Sequence, residues 1–201
     1  MISIVNYGVS NIGSMLNMMK KLGVEAETIS TPVEIERAEK IILPGVGAFD
    51  HGMKTILEMG LAEPLKNRVR DGVPLLGVCL GMQMLGRGSD EGTAAGLGLI
   101  GGSCKRFTPN GAAAIRIPHM GWSELLIRQH DGLMAGLENP RFYFVHSYYF
   151  VCDDPSDELA RANYGIDFTA AVHRGNVWGV QFHPEKSHRF GMTLLKNFAA
   201  L

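Results

Sequence analysis

The sequence predicts an α/β fold: a doubly wound mixed sheet, with added, partly antiparallel strands in the second half. Two observations carry this. Ahead of Leu97, short apolar runs alternate with segments of helical period, as parallel strands joined by crossover helices require. From about Leu97 the texture changes to short runs rich in Phe, Tyr, Val and Ile, separated by Gly, Asn, Asp and Pro. At 201 residues the chain is long enough for a proper core, and one domain spanning 1–201 is expected.

The elements follow in order. Ile2, Ser3, Ile4 and Val5 read as a first strand, after which Gly8 turns the chain into a helix. Ile12, Met15, Leu16 and Met19 recur there at helical spacing, and Gly23 stops the run. Residues 24–29 and 40–43 predict the second and third strands. A helix carrying Phe49, Met53, Ile56 and Leu57 ends at Gly60, and another begins near Pro64, which a first helical turn tolerates. Residues 74–78 form a short buried strand leading to Cys79. Later strands are expected over 105–107, 141–145, 168–172 and 177–182, and a last helix sets Met192, Leu195, Phe198 and Ala199 on one face. The run Gly96-Leu97-Gly98-Leu99-Ile100-Gly101 matches G-x-G-x-x-G, but it follows no convincing strand and precedes no helix, so the dinucleotide reading fails.

Composition narrows the class. A chain 46% hydrophobic and 19% charged, with net charge −1, is ordinary for a soluble globular protein. Its scattered lysines and arginines exclude a basic nucleic-acid footprint. Three cysteines (Cys79, Cys104, Cys152) with no CxxC pair argue for a reducing compartment and against a disulfide framework or zinc site. The first residues enter a strand without a charged-then-apolar leader, and no apolar run approaches membrane-spanning length. A cytoplasmic location is expected.

The chemistry centres on Gly77-Val78-Cys79-Leu80-Gly81, a glycine-bracketed nucleophile at a strand-to-helix turn. Such a turn pushes the thiol out at the carboxyl end of its strand, where active sites of doubly wound sheets lie. It also sets Cys79 at the positive end of the next helix, which favours the thiolate. The plainer alternative is a buried structural cysteine. A catalytic thiol needs a base and a group to orient it. His183, at the end of the strand over 177–182, is the best placed of seven histidines, and Glu185 can reach back to its ring. Pro184 holds His183 out of the helical region. A capping His-Pro turn is the plainer reading of this segment. Gly45-Val46-Gly47, after the third strand, frees the backbone to turn an N–H toward a developing oxyanion, joined by the N–H of Leu80.

These residues resemble the class I, triad-type glutamine amidotransferases, whose nucleophile and His-Glu signatures match 77–83 and 182–185. The motifs at 6–8, 44–49, 118–122, 143–148 and 183–187, in that order, look more narrowly like the glutaminase subunits of imidazole glycerol phosphate synthase. That resemblance implies a flavodoxin-like sheet, a Cys79–His183–Glu185 triad and an oxyanion hole from Gly45, Val46, Gly47 and Leu80. Gln83, Ser147 and Tyr148 would hold glutamine. No cofactor or metal is implied. Ammonia would pass to a separate (βα)8-barrel cyclase, faced by Pro118, Trp122 and Lys186, which makes imidazole glycerol phosphate and AICAR in histidine biosynthesis. Ser123 stands where the resemblance leads one to expect Asn, and 86–92 and 187–192 look closer to paralogues that supply ammonia for amidination of a surface-polysaccharide sugar. Two further readings stay open: a partner-independent γ-glutamyl hydrolase or cysteine peptidase, and a non-enzymatic scaffold.

Overall fold

Strand alternation decides which side of the sheet each apolar residue serves. The computed structural model describes residues 1–108, 116–130 and 132–201. In β1 (Ile2–Val5), Ile2 and Ile4 join one core and Val5 the other; in β3 (Ile41–Gly45), Ile42 opposes Ile41 and Leu43 in the same way. Two apolar layers result, one on each face. Helices α1 (Ile12–Leu22) and α6 (His188–Ala200) cover the first through Met15, Met19, Leu194, Leu195 and Phe198. The second is covered by α2 (Pro32–Arg37), α3 (Phe49–Glu58), α4 (Ala62–Arg70) and α5 (Leu80–Met84).

The strands run β2 (Ala26–Ile29), β1, β3, β4 (Leu75–Cys79), β12 (Val177–Val180), all parallel. Antiparallel β11 (Asp167–Arg174), β10 (Glu158–Asn163) and β7 (Leu126–Ile127) extend the sheet. β5 (Gly102–Arg106) pairs with β9 (Tyr148–Cys152), which pairs with β11, while β6 (His119–Glu124) and β8 (Arg141–His146) form a separate antiparallel ribbon. The mixed, doubly wound sheet is therefore as the sequence predicts. β4 and β12 are neighbours in register, with Val180 opposite Val78. That pairing sets the two chemistry-bearing ends, Cys79 and the residues after Val180, side by side.

Three details differ from the sequence reading. Helix α2 is additional: Thr31 Oγ1 accepts from the Glu34 N–H while Glu34 accepts from the Thr31 N–H, a capping box followed by Pro32. Leu57 is 58% exposed, because the buried face of α3 runs through Phe49, Gly52, Met53 and Ile56. The last parallel strand ends at Val180, after which the Gln181 N–H bonds Ala170 and the His183 N–H bonds Tyr143. The 96–101 glycine run has a structural task. Its N–H groups at Leu97, Gly98 and Leu99 donate to the carbonyls of Met84, Gly86 and Leu85 and so satisfy the end of α5.

Candidate functional site

Cys79 closes β4 with φ 55° and ψ −111°, a left-handed conformation that a non-glycine residue holds only when its surroundings dictate it. The two flanking glycines permit the turn. A Cβ at Gly77 would lie 2.8 Å from the Gly81 carbonyl carbon, and one at Gly81 would run into the Leu43 carbonyl oxygen. The thiol lies 3.9 Å from the Val145 carbonyl oxygen and accepts from Gln181 Nε2 at 3.8 Å. Cys104 and Cys152 differ sharply. Burial first, then nearby carboxylates, pushes the Cys152 thiol up to about 12, and the same causes raise Cys104 further. Neither is a nucleophile at neutral pH.

His183 Nδ1 lies 2.8 Å from Glu185 Oε1, and the imidazole shares the wall of one cleft with the Cys79 thiol. Burial opposes charge on this ring, but the hydrogen bonds to Cys79 and Glu185, with the attraction of their charges, lift its pKa to about 10. An imidazolium beside the sulfur is therefore the form at pH 7. The backbone of His183 is clamped as well. Ser187 Oγ donates to the His183 carbonyl at 2.6 Å and accepts from the Tyr143 N–H at 3.0 Å.

A cleft of about 380 Å³ opens on this pair, bordered by Val46, Gly47, Leu80, Gln83, Ser147, Tyr148, Pro118 and Lys186 as well as Cys79 and His183. Gly45 pairs with Cys79 across β3 and β4. Of the expected oxyanion donors, Leu80 opens α5 beside the thiol. The Val46 N–H, in contrast, donates to the Val9 carbonyl at 2.9 Å, and Gly47 takes φ 98°. Gln83 Nε2 bonds Gln181 Oε1 at 3.0 Å and the Tyr148 carbonyl at 3.3 Å. Gly45 and Glu185 stand behind the lining, next to Cys79 and His183, whereas Trp122 is apart from it. It is 45% exposed and stacks on His188 at 5.4 Å. Lys186 lies over the Tyr143 ring at the rim.

Sequence reasoning missed three residues. Glu91 puts a carboxylate on the cleft wall, one oxygen held by the Phe49 N–H at 2.8 Å. Gln181 lies in the strand expected over 177–182 and Ser187 ends the 183–187 motif, but their roles depend on partners far along the chain. His119 and His146 form a second buried pair, with His119 Nδ1 2.9 Å from His146 Nε2.

The profile of the family Glutamine amidotransferase class-I matches residues 3–201. The imidazole glycerol phosphate synthase subunit HisH of Bdellovibrio bacteriovorus is 50% identical over the whole of both chains. The subunit HisH 2 of Pseudomonas aeruginosa is 51% identical, again over the whole of both chains. Among solved structures, a glutamine amidotransferase superimposes with TM-score 0.76 at 22% identity, covering 99% of each chain. PurLQS from Thermotoga maritima superimposes with TM-score 0.76 at 20% identity, covering 99% of this chain and 97% of that one. Both support the fold. Full-length matches of this kind leave one assignment: the chain belongs to the class-I glutamine amidotransferases and, within them, to the HisH subunits of imidazole glycerol phosphate synthase.

Proposed function

We propose that this chain, acting as one domain, is the glutaminase of that synthase: it hydrolyses glutamine and passes ammonia to a (βα)8-barrel cyclase in the cytoplasm. The observation that carries the reading is Cys79 and His183 lining one cleft, with Glu185 bonded to the far nitrogen of the His183 ring. The Cys79 thiolate attacks the side-chain amide carbon of glutamine. The oxyanion so formed meets the Leu80 N–H and a second donor from Val46 or Gly47 once that strand turns from Val9. Collapse breaks the C–N bond, the His183 imidazolium gives its proton to the departing nitrogen, and ammonia leaves a γ-glutamyl thioester. The imidazole, now neutral, takes a proton from water, which attacks the thioester; glutamate leaves and the thiolate returns. Glu185 holds the ring in register throughout.

Glu91 supplies a negative charge for the α-ammonium of glutamine, and the Ser147–Tyr148 backbone borders the substrate's other end. Pro118, Lys186 and Trp122 face the cyclase. Among the described residues no helix is long and apolar enough to cross a membrane. A closed route for ammonia suits the chemistry, because released ammonia in water is mostly protonated and no longer nucleophilic. The test is growth. This chain, expressed with its neighbouring barrel gene in a histidine auxotroph lacking the glutaminase subunit, is expected to restore growth without histidine. No growth from a pair that assembles and hydrolyses glutamine would move the acceptor to the sugar-amidination reading. Peptide cleavage without glutamine turnover would overturn both.

A further inference from the structure

The triad makes no use of His119 and His146, yet both are buried and joined to the cleft. His146 Nδ1 lies 2.8 Å from the Tyr148 carbonyl oxygen, which can only accept, so Nδ1 carries a proton. Burial, chiefly, lowers the pKa of His146 to about 3 and that of His119 to about 4, so each ring is neutral at pH 7. Each then carries one proton, and every role is decided. His146 Nε2 accepts from His119 Nδ1 at 2.9 Å; His119 Nε2 is left bare and accepts from Ser123 Oγ at 3.0 Å.

The rings cannot turn to escape this order. His119 lies between Phe144 and Tyr164, with centroids 4.9 and 4.0 Å away, and Phe107 stands edge-on to His146 at 5.2 Å. At the far end the Tyr148 carbonyl also receives Gln83 Nε2, which bonds Gln181, which in turn donates to Cys79 Sγ. A continuous series of hydrogen bonds thus links Ser123, on the strand that carries Trp122, to the nucleophile, with donors converging on the Tyr148 carbonyl from both sides.

We propose that His146 is a positioning residue for glutamine: braced from behind by His119 and Ser123, its Nδ1–H fixes the Tyr148 carbonyl and with it the Ser147–Tyr148 segment against which the substrate lies. This rests on the glutaminase reading above. The chain also gives Ser123 a function, since any side chain there must donate to His119 Nε2. An amide can do so as well as a hydroxyl; a methyl cannot.

The test uses the full chain and two electrophiles for Cys79: a diazo-ketone analogue of glutamine, which must occupy the substrate position, and iodoacetamide, which need not. Ser123→Ala should raise the half-saturating concentration of the analogue about threefold, as loss of one internal hydrogen bond implies, and His146→Ala, which loses two, about tenfold. The iodoacetamide rate should stay within about twofold, because the triad is intact. Ser123→Asn should restore the analogue's affinity. The imidazole nitrogen spectrum should show His146 protonated on Nδ1 in the parent and in both Ser123 variants, because the Tyr148 carbonyl fixes that proton, whereas His119 Nε2 should shift in Ser123→Ala and return in Ser123→Asn. Unchanged analogue affinity and an unchanged His119 Nε2 signal in Ser123→Ala would overturn the inference, and so would an equal loss toward both electrophiles. Failure of the analogue to label the parent chain at Cys79 would instead defeat the glutaminase reading itself.

Discussion

His183 and His146 border the same cleft, and their surroundings treat them in opposite ways. His183 meets a carboxylate on one nitrogen and a thiol on the other, and its pKa rises to about 10. His146 meets a carbonyl and a second imidazole, has no anion to hold a charge, and falls to about 3. Burial disfavours the charged form of both rings. The difference lies in what each nitrogen touches. Position beside a nucleophile does not make a histidine the base; a carboxylate on the ring's other nitrogen does. His183 can lend a proton to departing ammonia, whereas His146 serves as a fixed neutral link.

The largest effects should come from the charged side of this contrast. Cys79→Ala and His183→Ala are each expected to lower glutamate release in the partner complex by on the order of a thousandfold or more, since members of a triad act as a unit. His146→Ala should retain measurable turnover. Equal loss of Cys79 alkylation in His146→Ala and His183→Ala would reverse the assignment of the base. Next comes the oxyanion strand. Gly47→Val should slow turnover by roughly 3 kcal/mol in the barrier while leaving glutamine affinity nearly intact, because the missing donor acts mainly in the transition state. A steady-state kcat and KM comparison decides this. Glu185→Gln should cost on the order of tenfold to a hundredfold, because it loosens the ring and lowers its charge without removing the proton carrier.

The share of this that was legible in the sequence follows from how local each feature is. The Cys79 turn is written in five consecutive residues, and its two glycines are dictated by contacts within the turn and with the adjoining strand. Glu185 is two residues from His183, near enough for the pairing to be read directly. The parallel core was equally plain from its alternation. What stayed hidden depends on distant partners. Gln83 and Gln181 are 98 residues apart, and nothing local in either segment shows that they meet. The same holds for the Val46 N–H, which is engaged by Val9, and for Glu91, which is placed by the start of α3. Helix α2 is a different case. Thr31 and Glu34 carry its capping box in full view, but its six residues are too few for an apolar period to stand out.

Stability against pH should show the same contrast with opposite signs. His119 and His146 have folded pKa values of about 4 and about 3, below the ordinary value near 6.5, so the unfolded chain binds more protons as pH falls through 6.5. Stability is therefore lost toward pH 4, by up to about 1.4 kcal/mol per pH unit for each ring. His183 is raised, so its contribution is fully present below about 6.5 and is lost as pH climbs toward about 10. Urea midpoints of the free chain from pH 4 to 8 should fall on the acid side, and His119→Gln should make that limb shallower. An unchanged acid limb in His119→Gln would count against a neutral buried pair.

The contrast between the two rings is read most directly from the imidazole nitrogens of His183 and His146, followed by NMR across pH in the free chain and in Cys79→Ala. At pH 7, His183 should be doubly protonated and His146 neutral with its proton on Nδ1. Cys79→Ala should lower the His183 titration, because Cys79 is among the groups that raise it, and should leave His146 neutral with its proton on Nδ1. A neutral His183 beside a charged His146 at pH 7 would contradict the assignment of the two roles.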